Sequence, residues 1–97
     1  MIYRIYFSKE ASKVVAKYKK SNPVLYKKLE KLLDEIMEHP RSGIGHPEPL
    51  VSGNSATYSR RIGGKDRLIY DIHDETVTVL VLSVEGHYKA NERLIKD

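Results

Sequence analysis

The dipeptide Asn22-Pro23 divides the first forty residues into two helices, and that break sets the architecture of the whole chain. Before it, Ala11, Val14, Val15 and Tyr18 recur at i, i+3, i+4 and i+7, which is one face of a helix. Ser8 stands where an N-cap belongs. After it, Leu25, Leu29, Leu32, Leu33 and Ile36 form a second apolar stripe, and the lysines of both segments fall mostly elsewhere. Asn is a good N-cap, and Pro suits the first helical position because its missing N–H would have no partner there. The two segments read as an αα-hairpin that ends at His39-Pro40, since the residue before proline resists the helical region.

The rest of the chain alternates. Ile2 to Phe7 reads as a first strand. Tyr58 to Ile62 and Arg67 to Ile72 are two more, joined by a turn at Gly63-Gly64. Thr76 to Val84 is the most β-prone segment and is read as a central strand after a turn at Asp74-Glu75. The expected fold class is α+β: an N-terminal strand and a two-helix hairpin packed on a small, mostly antiparallel twisted sheet. Ninety-seven residues leave room for one core, here assigned to residues 1–88, with 89–97 as a C-terminal extension.

Composition removes several classes of function. There is no cysteine, which excludes disulfides, thiolate zinc sites and cysteine nucleophiles. No pair of histidines has metal-ligand spacing, and there is neither a phosphate-binding glycine loop nor a nucleophile elbow. No metal and no cofactor is therefore expected. No apolar run approaches the roughly 18 residues of a membrane helix, so the expectation is a soluble, cytoplasmic protein with no membrane partner. The net charge is +4, and it is uneven. Residues 1–70 hold 14 basic and 7 acidic side chains, whereas residues 71–97 hold 3 and 6. A basic body attracts polyanions such as RNA, DNA or an acidic protein segment; a mildly basic solvated surface reads the same way.

Three groups could carry chemistry. Glu48 lies between Pro47 and Pro49 on a stiff backbone, which suits a fixed general base and equally describes an exposed loop glutamate. Arg60, Arg61 and Arg67, with Lys65, supply guanidinium and ammonium groups for phosphate, or edge-strand charges that discourage aggregation. Arg60 and Arg61 must point to opposite faces of their strand, so at most one serves a given site. His87-Tyr88 follows the most hydrophobic strand, where a side chain can project from a rigid sheet into a cleft. His39, His46 and His73 are weaker candidates. A glutamate, an arginine and a histidine are the parts needed to make an RNA 2′-hydroxyl attack its own phosphate.

Pro47-Glu48-Pro49-Leu50, Tyr58-Ser59-Arg60-Arg61-Ile62, Asp66-Arg67-Leu68-Ile69-Tyr70 and His87-Tyr88, in that order, closely resemble the YoeB/Txe toxins of the RelE superfamily. The helical hairpin fits as well, so the resemblance covers nearly all of residues 1–88. It implies a RelE-like fold and the toxin of a type II toxin–antitoxin pair, a ribosome-dependent endonuclease that cuts mRNA in the A site. It implies Glu48 as general base and Arg67 as transition-state stabiliser. His87 becomes general acid or positioning group, and Tyr88 orients the substrate. Arg60, Arg61, Lys65 and His46 become RNA or ribosome contacts. The implied partners are a cognate YefM/Phd-like antitoxin, a second copy of the chain in a homodimer, and operator DNA only through the antitoxin complex. The chain departs from the pattern in two places. Val51-Ser52 stands where the family often has a basic residue after the Pro-Leu, and nine residues follow His87-Tyr88. A rival expectation is a ParE-like inhibitor of gyrase that acts by protein binding and need not keep the Glu/Arg/His set.

Overall fold

The computed structural model describes residues 2–50 and 56–84. The first strand, β1 (Arg4–Phe7), leads into helices α1 (Lys9–Ser21) and α2 (Pro23–Glu38). Strands β2 (Glu48–Pro49), β3 (Thr57–Gly63), β4 (Asp66–His73) and β5 (Thr78–Ser83) follow among the described residues, with a 3₁₀ turn, Asp74–Thr76, before β5. The five strands form one sheet in the order β1-β5-β4-β3-β2. Every neighbouring pair is antiparallel except β1 with β5, which are parallel. β5 therefore lies inside the sheet, as its composition suggested.

Local sequence explains the helix boundaries. The Ser8 hydroxyl accepts from the Ala11 N–H at 3.0 Å and donates to the Leu82 carbonyl at 3.0 Å. One residue thus caps α1 and ties it to β5; such a cap contributes about 1 kcal/mol. Asn22 closes α1 through its backbone N–H and opens α2 through its side chain, which accepts from the Leu25 N–H. Pro23 occupies the first helical turn, as expected.

The helices cover one face of the sheet. Ala11 and Tyr18 from α1 and Leu29, Leu32 and Ile36 from α2 meet Ile62, Leu68, Tyr70, Ile72, Val79 and Val81. Val14, Val15, Leu25 and Leu33 are only half-buried against that core. Because strand residues alternate in direction, every second position of β3 and β4 faces the other way. That second face carries Ser59, Arg61, Arg67 and Asp71, and the edge strand β2 adds Glu48 to it through its pairing with Ser59.

Candidate active site

The site is built by register. In β2, Glu48 stands directly opposite Ser59 of β3. Directly opposed residues of an antiparallel pair share a face, with Cβ atoms roughly 5 Å apart. Prolines on both sides of Glu48 lack N–H groups, which restricts such a segment to the edge of a sheet. That is where β2 lies, and its short ladder is continued by the Leu50 N–H to the Thr57 carbonyl, 2.8 Å. Glu48 is exposed there.

Arg67 approaches from β4. Its guanidinium donates to the Ser59 hydroxyl at 3.2 Å. Ser59 itself is almost fully buried and holds a fixed position between the carboxylate-bearing edge and Arg67. Arg61 stands directly opposite Arg67 across β3 and β4. Like charges directly opposed in a sheet repel, so this pair favours an anion bound between or above it. Lys65 is exposed in the turn that joins β3 to β4. Ser59 has no mark in the sequence that singles it out; only the β2–β3 register puts it between Glu48 and Arg67.

Arg60 requires a correction. The sequence placed it among the RNA contacts, but its side chain has no exposed surface. It points to the helix face, opposite to Arg61. Its Nε donates to the Tyr70 hydroxyl at 2.9 Å, and Nη1 donates to Glu35 Oε1 at 2.7 Å and to the Ile44 carbonyl at 3.1 Å. Nη2 donates to the carbonyls of His39 and of Ser42. Tyr70 in turn donates to the Pro40 carbonyl at 2.6 Å. Arg60 therefore clamps the loop between α2 and β2 from within. The same Glu35 oxygen accepts from the Ile44 N–H, and the Arg61 N–H donates to the Gly45 carbonyl at 2.7 Å. Three residues after Gly45 the chain reaches Glu48, so the loop that delivers the carboxylate is fastened along most of its length.

Electrostatics follow the same network. Burial pushes the Glu35 carboxyl upward, but the hydrogen bond from Arg60, the Ile44 N–H and the Arg60 charge together hold it below the ordinary carboxylate range. On the opposite flank of the loop, Asp74 accepts two hydrogen bonds from Arg41 and one from Tyr3. Its carboxyl is likewise held low, first by Arg41 and then by Tyr3. His46 is exposed with a positive φ of 51°, two residues before Glu48. His87, Tyr88 and the extension 89–97 lie outside the described residues, as do Val51 and Ser52.

Two helices stacked on one face of a five-stranded sheet, with an arginine-bearing second face, define a small toxin fold of the RelE kind. The model of a "YoeB-like toxin of bacterial type II toxin-antitoxin system" matches residues 7–88. The chain belongs to this family of YoeB-like toxins. Toxin YoeB of Synechocystis sp. is 36% identical over 72 residues, 74% of this chain and 81% of the relative. The YoeB dimer from Staphylococcus aureus superposes with a TM-score of 0.78 at 31% identity, covering 91% of this chain and 100% of that one. The YoeB–YefM complex from the same organism gives a TM-score of 0.76 at 32% identity, with the same coverage.

Proposed function

We propose that this toxin is a ribosome-dependent mRNA endonuclease acting from the face of the sheet opposite the helices. The observation that carries the reading is the line Glu48–Ser59–Arg67, with Arg61 opposite Arg67: an exposed carboxylate on a stiff edge strand beside two guanidinium groups on rigid strands. Glu48 takes the proton from the RNA 2′-hydroxyl. The 2′-oxygen attacks the adjacent phosphorus as the bond to the 5′-oxygen breaks. Arg67 stabilises the negative charge that gathers on the phosphorane oxygens. The leaving 5′-oxygen takes a proton from the acid. The products are a 2′,3′-cyclic phosphate and a 5′-hydroxyl. The nucleophile belongs to the RNA, and acid–base groups suffice for each step without a metal.

By resemblance, His87 is the acid or positions it, and Tyr88 orients the substrate. Arg61, Lys65 and His46 are RNA or ribosome contacts. The Staphylococcus aureus relative, described with YefM and as a dimer, supports a YefM-like antitoxin as partner and a homodimer as an assembly. Operator DNA is reached only through the antitoxin complex, and the protein works in the cytoplasm.

The test is cleavage of mRNA on programmed ribosomes by the purified protein. Glu48→Gln, Arg67→Ala and His87→Gln are each expected to slow it by at least about a hundredfold, the usual yield of one acid–base or charge-stabilising group. Full activity in all three overturns the reading. Growth arrest with intact mRNA and broken DNA replaces it with gyrase inhibition.

A further inference from the structure

The strand registers order the face opposite the helices into three cross-sheet rows. Arg61 opposes Arg67 in the first, Glu48, Ser59 and Ile69 align in the second, and Thr57 opposes Asp71 in the third. The third row runs on across two more strands, because Asp71 aligns with Leu80 of β5 and Leu80 with Tyr6 of β1. These four residues share that face, since Tyr58, Tyr70, Val79 and Phe7, each one residue away in the chain, pack into the helix-side core. An aspartate inside a strand is uncommon, because its short polar side chain gains little from a pleated surface. Here the Thr57 hydroxyl donates to Asp71 Oδ1 at 2.6 Å, and it is the only hydrogen-bond partner of that carboxylate among the described residues. Tyr6 is 51% exposed, and Asp71 and Leu80 beside it are half-buried.

We infer that Asp71 is a specificity-determining residue, accepting hydrogen bonds from the donor edge of a nucleobase next to the scissile phosphate while Tyr6 and Leu80 pack on that base; the inference rests on the endonuclease reading. Position supports it. Two residues of strand advance about 6.6 Å, so the Asp71 row lies one extended nucleotide from the Glu48 row, on the side away from Arg67. Charge supports it as well. A carboxylate repels the RNA backbone, so its complement here is a base, whereas the arginine row is complementary to phosphate. The two oxygens of a carboxylate have about four acceptor positions, and Thr57 fills one. Guanine presents two neighbouring donors, N1–H and the 2-amino group, and matches that set. Uracil has a single N–H flanked by two carbonyls, which the carboxylate repels. Aromatic rings are the usual partners of an unstacked base. Asp71 and Tyr6 lie two strands apart, about 9.5 Å at the backbone, with Leu80 between them, a span that one base fills.

Two fluorescent single-stranded RNAs and the full chain test this. Both RNAs carry 2′-O-methyl groups throughout and so cannot be cut; they differ only in guanine against hypoxanthine, which lacks the 2-amino group. Anisotropy gives the affinities. The parent chain is expected to bind the guanine RNA about tenfold more tightly, the effect of one hydrogen bond to a charged group. Asp71→Ala is expected to bind both RNAs alike. Asp71→Asn keeps an acceptor for Thr57 but turns an N–H toward the base, and is expected to lose the preference too, with its folding checked by circular dichroism. Tyr6→Ala is expected to weaken both RNAs about fivefold or more with the preference kept. Equal affinities in the parent overturn the inference, and so does a preference that survives in both Asp71 variants. A Tyr6→Ala chain that binds as tightly as the parent overturns the packing of the base on Tyr6. The readout contains no cleavage step. A chain that prefers guanine through Asp71 and fails to cut on ribosomes loses the endonuclease reading and keeps the base contact. A chain that cuts on ribosomes and binds both RNAs alike keeps the reading and loses the contact.

Discussion

Arg60 and Arg61 are adjacent in the chain and have opposite fates: Arg60 is fully enclosed and bonded to five oxygen atoms, while Arg61 is exposed opposite Arg67. One strand thus divides a pair of identical residues between holding the fold and presenting charge. Arg60 is expected to bear on the proposed reaction only indirectly, through the loop it fixes.

Arg60→Met is expected to cost about 3–5 kcal/mol, because it leaves Glu35 and several loop carbonyls without their donor. Arg60→Lys is expected to recover little of that, since an ammonium cannot reproduce the planar fork that meets five acceptors. Urea unfolding monitored by circular dichroism measures both. A Lys variant as stable as the parent would show the guanidinium geometry to be dispensable.

Ser59→Ala removes the hydroxyl that accepts from Arg67. A single such hydrogen bond is worth about 1 kcal/mol, or roughly a fivefold change in rate. The expected outcome is a fold and melting temperature close to the parent's with slower single-turnover cleavage. Ser59→Thr, which keeps a hydroxyl, is expected to restore part of the rate. An Ala variant with the parent's rate would show that Arg67 is positioned without Ser59.

Gly45→Ala strains the loop twice. Gly45 has φ +79°, and an added Cβ would lie 2.9 Å from both the Arg61 carbonyl and a Leu32 methyl group. The left-handed conformation alone costs a side chain about 1–2 kcal/mol. Thermal unfolding is expected to show a lower melting temperature, and cleavage is expected to fall because Glu48 follows three residues later. A melting temperature equal to the parent's would mean that the loop is not fastened as described.

Stability is expected to fall in acid, in a window set by Glu35 and Asp74. Both carboxyls have folded values below their ordinary 4.5 and 3.8. A group depressed by folding stabilises the native state above its unfolded value, and that contribution is lost as pH falls through the folded one. The unfolded chain binds more protons in that range, so stability rises with pH there and is flat from pH 6 to 7 for these two groups. Asp74 is exposed and screened, so Glu35 is expected to dominate. Glu35→Gln is expected to flatten the acid limb of a urea-midpoint series, with a lower midpoint at neutral pH. An acid limb identical to the parent's would remove Glu35 from this role.

Much of the fold was legible because periodicity and punctuation agree. Ser8, Asn22 and Pro23 mark helix ends by local chemistry that needs no tertiary information. The stripe from Leu25 to Ile36 is read from its spacing alone. Glu48 and Arg67 were legible as chemistry-bearing types on stiff segments, though nothing local says that they share a face. That fact depends on the β2–β3 and β3–β4 registers, which are long-range. Arg60 shows the same limit from the other side. Alternation required the two arginines to diverge, but not which of them was buried; that was decided by Glu35, Tyr70 and the carbonyls of a loop, none adjacent to it in sequence. The parallel partnership of β1 was equally invisible, because a strand does not carry the identity of its neighbour.

That partnership has a consequence for how the protein is made. Arg4 of β1 aligns with Thr78 of β5, and Phe7 with Val81, so the first of the described strands is secured by the last. Pairings this remote in sequence form late and close slowly. The helical hairpin can assemble early during translation, but β1 lacks its neighbour until β5 has emerged. A growing chain therefore carries an incomplete sheet until β5 has been made. For a protein proposed to attack translating ribosomes, the topology itself delays activity until β5 is available to complete the sheet.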